Sequence, residues 1–159
     1  MNLYLVSYDN GSRIPGARLA PYKLYEAINR SRLSSKVTDF KIHSINMYND
    51  NALEAEKKIS CIVEKNSFKK NELNLFVGGD HSITCFFAKS LSLKGLIPND
   101  SFLVIFDAHF DGFCKTEFSR IKNYNFVETL SVYFQHIFII GFRDYYPPVK
   151  NVPLKVTLI

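Results

Sequence analysis

Cysteine is scarce in this chain: Cys61, Cys85 and Cys114 are its three, and no two of them form a C-x-x-C pair. That excludes a disulfide scaffold and a thiolate zinc finger. The three read as reduced, mostly packed thiols of a cytoplasmic protein. Long apolar runs are also lacking, since no stretch approaches the roughly 18 residues that a membrane helix needs. The opening Met1–Asp9 has no basic start followed by a long apolar segment, so no secretory signal is expected. There is no internal repeat and no concentrated basic stripe. The net charge of +5 comes from 20 scattered Lys and Arg against 15 Asp and Glu. The largest basic cluster, Lys65 to Lys70, lies between Glu64 and Glu72 and reads as a solvated helix face. Nucleic acid is therefore not an expected partner, and no membrane contact is expected.

What is present is an ordinary globular composition, 47% hydrophobic and 22% charged, over 159 residues. That length fits a single domain, 1–159, or one part of a larger one. Five short apolar runs punctuate it: Leu3–Val6, Phe40–Ile45, Leu73–Val77, Ser101–Phe106 and His136–Ile140. The last three are almost unbroken, as expected of parallel strands covered on both faces. Between them lie segments with helical spacing. Ala17 to Arg32 carries Leu24, Ala27 and Ile28. Ala52 to Lys70 carries Ala52, Ala55, Ile59, Ile62 and Val63 on one stripe, with acids early and lysines late. Ser82 to Leu93 stops near Gly95 and Pro98, and Lys122 to Phe134 is a weaker candidate. This alternation predicts a three-layer α/β/α fold on a mainly parallel sheet. After Arg143 the rhythm fails. Tyr145–Pro148 reads as a turn, and the apolar β-prone run Lys155–Ile159 reads as a cut end, because domains usually end in polar, frayed residues.

Two short motifs carry chemistry. Gly78-Gly79-Asp80-His81-Ser82 follows one apolar run and Asp107-Ala108-His109-Phe110-Asp111 follows another. In open parallel sheets ligands bind at the carboxyl ends of the strands, where both motifs fall. Alternate residues of an extended segment share a face, so Asp107, His109 and Asp111 would point together if the strand persisted. Successive residues on that face are roughly 6.6 to 6.8 Å apart. Asp107 and Asp111 can therefore serve one ion only if the chain curls as it leaves the sheet, a bend assigned to Gly112. In the first motif the glycines allow a sharp turn, Asp80 and Ser82 can cap the next helix, and His81 enters the same crevice. Gly-Gly-Asp is also a common turn, and a lone histidine is more often structural. The coincidence of both motifs at strand ends favours a metal site made of His81, Asp107, His109 and Asp111. Two imidazoles and two carboxylates suit Mn²⁺, with Fe²⁺, Co²⁺ and Zn²⁺ as competitors.

These residues resemble the ureohydrolases, the family of arginase and agmatinase. Gly-Gly-Asp-His-Ser and Asp-Ala-His-x-Asp are similar to that family's first two metal signatures. Ser12–Pro21 resembles its glycine-and-proline entry to the first helix, and Ile140-Gly141-Phe142-Arg143 its strand ending in Gly-x-Arg. The resemblance spans nearly the whole chain. It implies a binuclear Mn²⁺ site whose bridging hydroxide attacks a guanidinium or amidine carbon of a small molecule. His81 and Asp111 would bind one ion, His109 the other, and Asp107 would bridge.

Two departures follow from the same resemblance. The family's third signature, Ser-x-Asp-x-Asp-x-x-Asp-Pro, is not in these 159 residues. Two Mn²⁺ bring four positive charges against two from Asp107 and Asp111, so one ion is expected here and not two tightly held ones. The family's seventh and eighth strands lie between its third and fourth. The strands before His81 and Asp107 should therefore stand apart with unpaired apolar edges. The expected outcomes are a hydrolase of linear amidines that is incomplete alone, a silent metal-binding remnant, or one part of a split enzyme that needs a complementing chain or a homo-oligomer. The family's proton-carrying histidine has no counterpart in Lys122–Val127, and His136 begins a strand, so no catalytic proton carrier is assigned.

Overall fold

The structure, a computed structural model, describes residues 1–31, 40–66, 68, 72–112, 120–143 and 152–159. Among these residues six strands and four α-helices follow in order, alternating as far as β5: β1 (Asn2–Ser7), α1 (Ala20–Arg30), β2 (Lys41–Asn46), α2 (Ala52–Lys65), β3 (Asn74–Gly78), α3 (Ser82–Leu93), β4 (Phe102–Phe106), α4 (Phe126–Leu130), β5 (His136–Ile140) and β6 (Val156–Leu158). A 3₁₀ turn, Ala17–Leu19, leads into α1. The predicted turn at 145–148, Cys114, and Lys69 and Lys70 lie outside the described residues.

All strand pairs are parallel, as the unbroken apolar runs predicted. They form two sheets, ordered β2-β1-β3 and β4-β5-β6. The edges β3 and β4 have no strand partner between them among the described residues, in line with the gap expected between the strands before His81 and Asp107. Helix α2 begins where its sequence demands. Asn51 Oδ1 accepts from the N–H groups of Leu53 and Glu54 at 3.0 Å, and Glu54 reaches back to the Asn51 N–H at 2.9 Å. Such a reciprocal cap is worth about 1 kcal/mol. Its stripe buries Ala55, Ile59 and Val63 and ends at Lys65, short of the predicted Lys70. Helix α3 is buried on most of its surface, with Ile83, Cys85, Phe86, Phe87 and Ala88 all inside. It packs between α2 and α4, and one continuous core joins it to both sheets through Tyr4, Val6, Ile105, Ile137 and Ile139.

The two-faced burial expected of the last three runs is only partial in β5, where one face is half-buried, is weaker in β3, where Leu75 is exposed, and fails in β4. Phe102, Val104 and Phe106 alternate with buried or half-buried neighbours and are 59%, 48% and 79% exposed. Their register partners His136, Phe138 and Ile140 lie on the same face. The reason is a missing layer: α1 packs on β1 and β3, and no described helix covers the outer face of β4. Composition reports that a strand is apolar; it does not report what covers it.

Candidate metal centre

Three strand ends build the site. The first is that of β1, where Asp9 is almost fully buried. One of its oxygens accepts from the Gly16 N–H at 2.6 Å and the Arg18 N–H at 3.1 Å, while Arg18 Nε lies 2.7 Å from the other. Arg18 also donates to the Tyr48 carbonyl at 2.9 Å and lies over the Tyr48 ring. The loop so pinned runs against the end of β3. A methyl group at Gly79 would stand 2.5 Å from the Tyr8 carbonyl oxygen and 3.0 Å from that of Ala17, so only glycine fits. Asp80 ties the two loops, accepting from the Gly11 N–H at 2.9 Å with one oxygen. With the other it accepts from the Ser82 N–H at 2.9 Å and from the Ser82 hydroxyl. The capping expectation holds for Asp80, which satisfies the first-turn amide of Ser82, and not for Ser82, while His81 occupies the N-cap of α3 and makes no capping bond.

The second motif leaves β4. Asp107 lies just past the strand, its N–H donating to the Ile140 carbonyl at 3.1 Å, and the Arg143 N–H donates to Ala108 at 3.0 Å. Asp107 stands between two imidazoles. Its Oδ2 is 3.1 Å from His81 Nε2, and its Oδ1 is 3.1 Å from His109 Nδ1 and accepts the His109 N–H at 2.9 Å. The curl expected after the strand is present, but at Asp111 and not at Gly112. Asp111 has φ 48°, the only positive value at a non-glycine residue among those described. Aspartate tolerates this region better than most side chains. Gly112 serves the Phe110 ring, which a methyl group there would meet at 2.7 Å.

Ligand atoms of His81, Asp107 and Asp111 all lie within 4.8 Å of one another. His109, the fourth residue predicted from the sequence, is 68% exposed and outside that group, although it shares Asp107 with His81. One nitrogen and two carboxylates converging from separate motifs fit a single divalent cation, with His109 next in line. Electrostatics agree. Burial, then the charge of Asp107, push the Asp111 carboxyl up to about 6 despite some relief from His81 and His109. Two acids are held close with too little positive charge between them, the deficit that a cation would remove. His136 stands apart: it begins β5, its Nε2 is 2.8 Å from Thr157 Oγ1, and Asp107 lies past the far end of the neighbouring strand.

A pH experiment reads the Asp111 deficit directly. The ordinary pKa of 3.8 in the unfolded chain lies below the folded value of about 6, so the folded state holds this proton more tightly. Its contribution to stability is complete below 3.8 and is lost as pH rises through 6. The metal-free wild type should lose thermal stability relative to Asp111→Asn across that window, measured as the difference between their melting temperatures. A constant difference from pH 4 to pH 7 would contradict this.

Asp9 and Phe126 escaped the sequence reading. Asp9 had a signal, an acid two residues after an apolar strand, as Asp80 and Asp107 nearly are. Phe126, whose ring lies on that of His81, had none beyond its aromatic character.

The sequence model of the arginase family matches residues 1–157. The chain belongs to the arginase family. A search of curated protein sequences finds no match. Among solved structures, this arginase-family chain is similar to proclavaminate amidino hydrolase from Streptomyces clavuligerus, with TM-score 0.68 and 18% identity over 99% of the chain and 57% of that structure. Formimidoylglutamase from Bacillus subtilis subsp. subtilis str. 168 gives TM-score 0.67 and 20% identity over 91% and 48%. Arginase from Bacillus subtilis gives 0.61 and 21% over 90% and 53%. These TM-scores establish a shared fold, the parallel α/β architecture read from the sequence. The chain spans about half the length of each of these structures.

Proposed function

We propose that this chain carries the first part of the metal centre of a hydrolase that cleaves C–N bonds in small guanidino or amidine compounds. The observation that carries the reading is the convergence of His81, Asp107 and Asp111 within 4.8 Å at the carboxyl edge of two parallel sheets. Mn²⁺ is the proposed ion, and His109, already tied to Asp107, is its fourth protein donor. When bound, such an ion supplies Lewis acidity and lowers the pKa of water for attack on an amidine carbon. The residues have separable tasks. Asp107 fixes both imidazoles, Asp111 would supply the ion's second carboxylate, and Asp80 anchors the His81 loop to the loop after β1.

The exposed face of β4 and the edges of β3 and β4, unpaired among the described residues, favour one specific form of this reading, in which a complementing chain or a second copy completes the sheets. Alone, the chain then binds metal with little or no turnover, the behaviour of a silent remnant. A cytoplasmic site of action belongs to the same proposal, resting on Cys61 and Cys85 as free thiols. No helix of the described residues is long and apolar enough to cross a membrane.

Equilibrium dialysis against Mn²⁺, alongside urea release from arginine and agmatine, tests the proposal. One bound ion per chain and weak or absent urea release are expected. Two tightly bound ions with full turnover would remove the need for a complement. No uptake at millimolar Mn²⁺ would end the metal reading.

A further inference from the structure

The imidazole of His81 lies flat on the ring of Phe126, with centroids 4.7 Å apart and planes 5° apart. That is an offset stack, a favourable arrangement for two aromatic rings. Phe126 opens α4 and is 1% exposed, so its ring is wedged by the core and cannot follow a moving partner. The His81 side chain, by contrast, is 43% exposed. A divalent ion binds an imidazole nitrogen in the plane of the ring, along its lone pair. A ring free to turn would carry that lone pair away from Asp107 and Asp111. The stack removes this rotation, while the 3.1 Å contact between Nε2 and Asp107 sets the direction within the plane.

The same end of α4 acts on a second ligand. The N–H of Val127 donates to the Asp111 carbonyl at 3.1 Å, across the residue with positive φ. One short helix therefore holds the plane of His81 through a side chain and the turn of Asp111 through the backbone. The Phe126 carbonyl faces Cys85 Sγ at 3.6 Å, which ties α4 back to α3, the helix whose N-cap position His81 occupies.

We infer that Phe126 is a positioning residue, which orients His81 for metal by stacking and is not merely part of the core. The inference rests on the metal-site proposal, and its test separates the two. The whole chain is prepared as wild type, Phe126→Leu and Phe126→Tyr, with Val63→Ala in α2 as a distant core control. Long-range ¹H–¹⁵N spectra of the metal-free proteins report the imidazole, and absorption titration with Co²⁺ reports the site. In the wild type the carbon-bound protons of His81 should be displaced upfield by the ring current of Phe126. That displacement should vanish in Phe126→Leu and persist in Phe126→Tyr. Co²⁺ affinity should fall about 10- to 100-fold in Phe126→Leu, the range typical of residues that orient a ligand. It should stay at the wild-type level in Phe126→Tyr and Val63→Ala.

A folded Phe126→Leu protein that binds Co²⁺ as the wild type does would overturn the inference. So would an undisplaced His81 signal in the wild type, a result that stands even if the leucine variant fails to fold. A displaced signal in a wild type that takes up no Co²⁺ would uphold the stack and overturn the metal reading instead.

Discussion

Arg18→Met should lower the unfolding free energy by about 3 to 5 kcal/mol, the usual result of stranding a buried charge. For a chain of this size that is a fall in melting temperature of roughly 6 to 20 °C. The carboxylate of Asp9 is sealed from solvent, and the Arg18 side chain is 15% exposed. Their 2.7 Å contact runs off the hydrogen-bond line, so Asp9 Oδ1 receives charge compensation without a directed donor. Without the guanidinium, two backbone N–H groups, from Gly16 and Arg18, would face an otherwise unpaired buried anion. Methionine keeps much of the apolar stem but not the bond to the Tyr48 carbonyl. The double variant Asp9→Asn/Arg18→Met should recover much of the loss, because the amide no longer buries a charge. Urea unfolding of the four proteins measures the coupling. Additive losses in the double variant would show that Arg18 acts by packing over Tyr48 and not by neutralising Asp9.

The parts of this molecule legible in its sequence were those with a local cause. Helix α3 was predicted to the residue because a strand end, a run of buried positions and Gly95 bracket it. Three of the four proposed ligands were brought together because strand-end residues of a parallel sheet converge whatever the remaining fold. The missing features have distant causes. Nothing near Phe102, Val104 and Phe106 reveals that no helix among the described residues covers the outer face of β4, since a covered strand and an exposed one share that composition. The left-handed turn was assigned to Gly112 by intrinsic preference. It fell to Asp111 because the Val127 amide reaches back to its carbonyl from another element. Phe126 reads as one more core aromatic until the plane of His81 is seen beside it. Helix α4 was overextended for a related reason: its five residues are held by packing, with Phe126, Val127, Thr129 and Leu130 buried, and not by helical propensity.

Asp107→Asn should separate metal affinity from stability, because Asp107 has opposite effects on the two. It is the residue that both histidines contact, one on each oxygen, so any cation held by His81 and His109 meets it. The amide keeps a carbonyl oxygen but loses the negative charge. Mn²⁺ affinity should drop on the order of 100-fold or more, at least the upper end of what removing an orienting partner costs. The metal-free protein should respond the other way. The charge of Asp107 is one of the causes that hold the Asp111 carboxyl up to about 6. Its removal lets Asp111 ionise nearer its ordinary range, so the penalty on the folded state above pH 6 shrinks. Asp107→Asn should therefore melt no lower than wild type at pH 7 without metal, and clearly lower with saturating Mn²⁺, since only the wild type gains stability from the ion. Calorimetry with and without Mn²⁺ measures both effects. A variant that loses stability equally under both conditions would mean that Asp107 is a structural hinge between its two histidines, with the cation incidental to it.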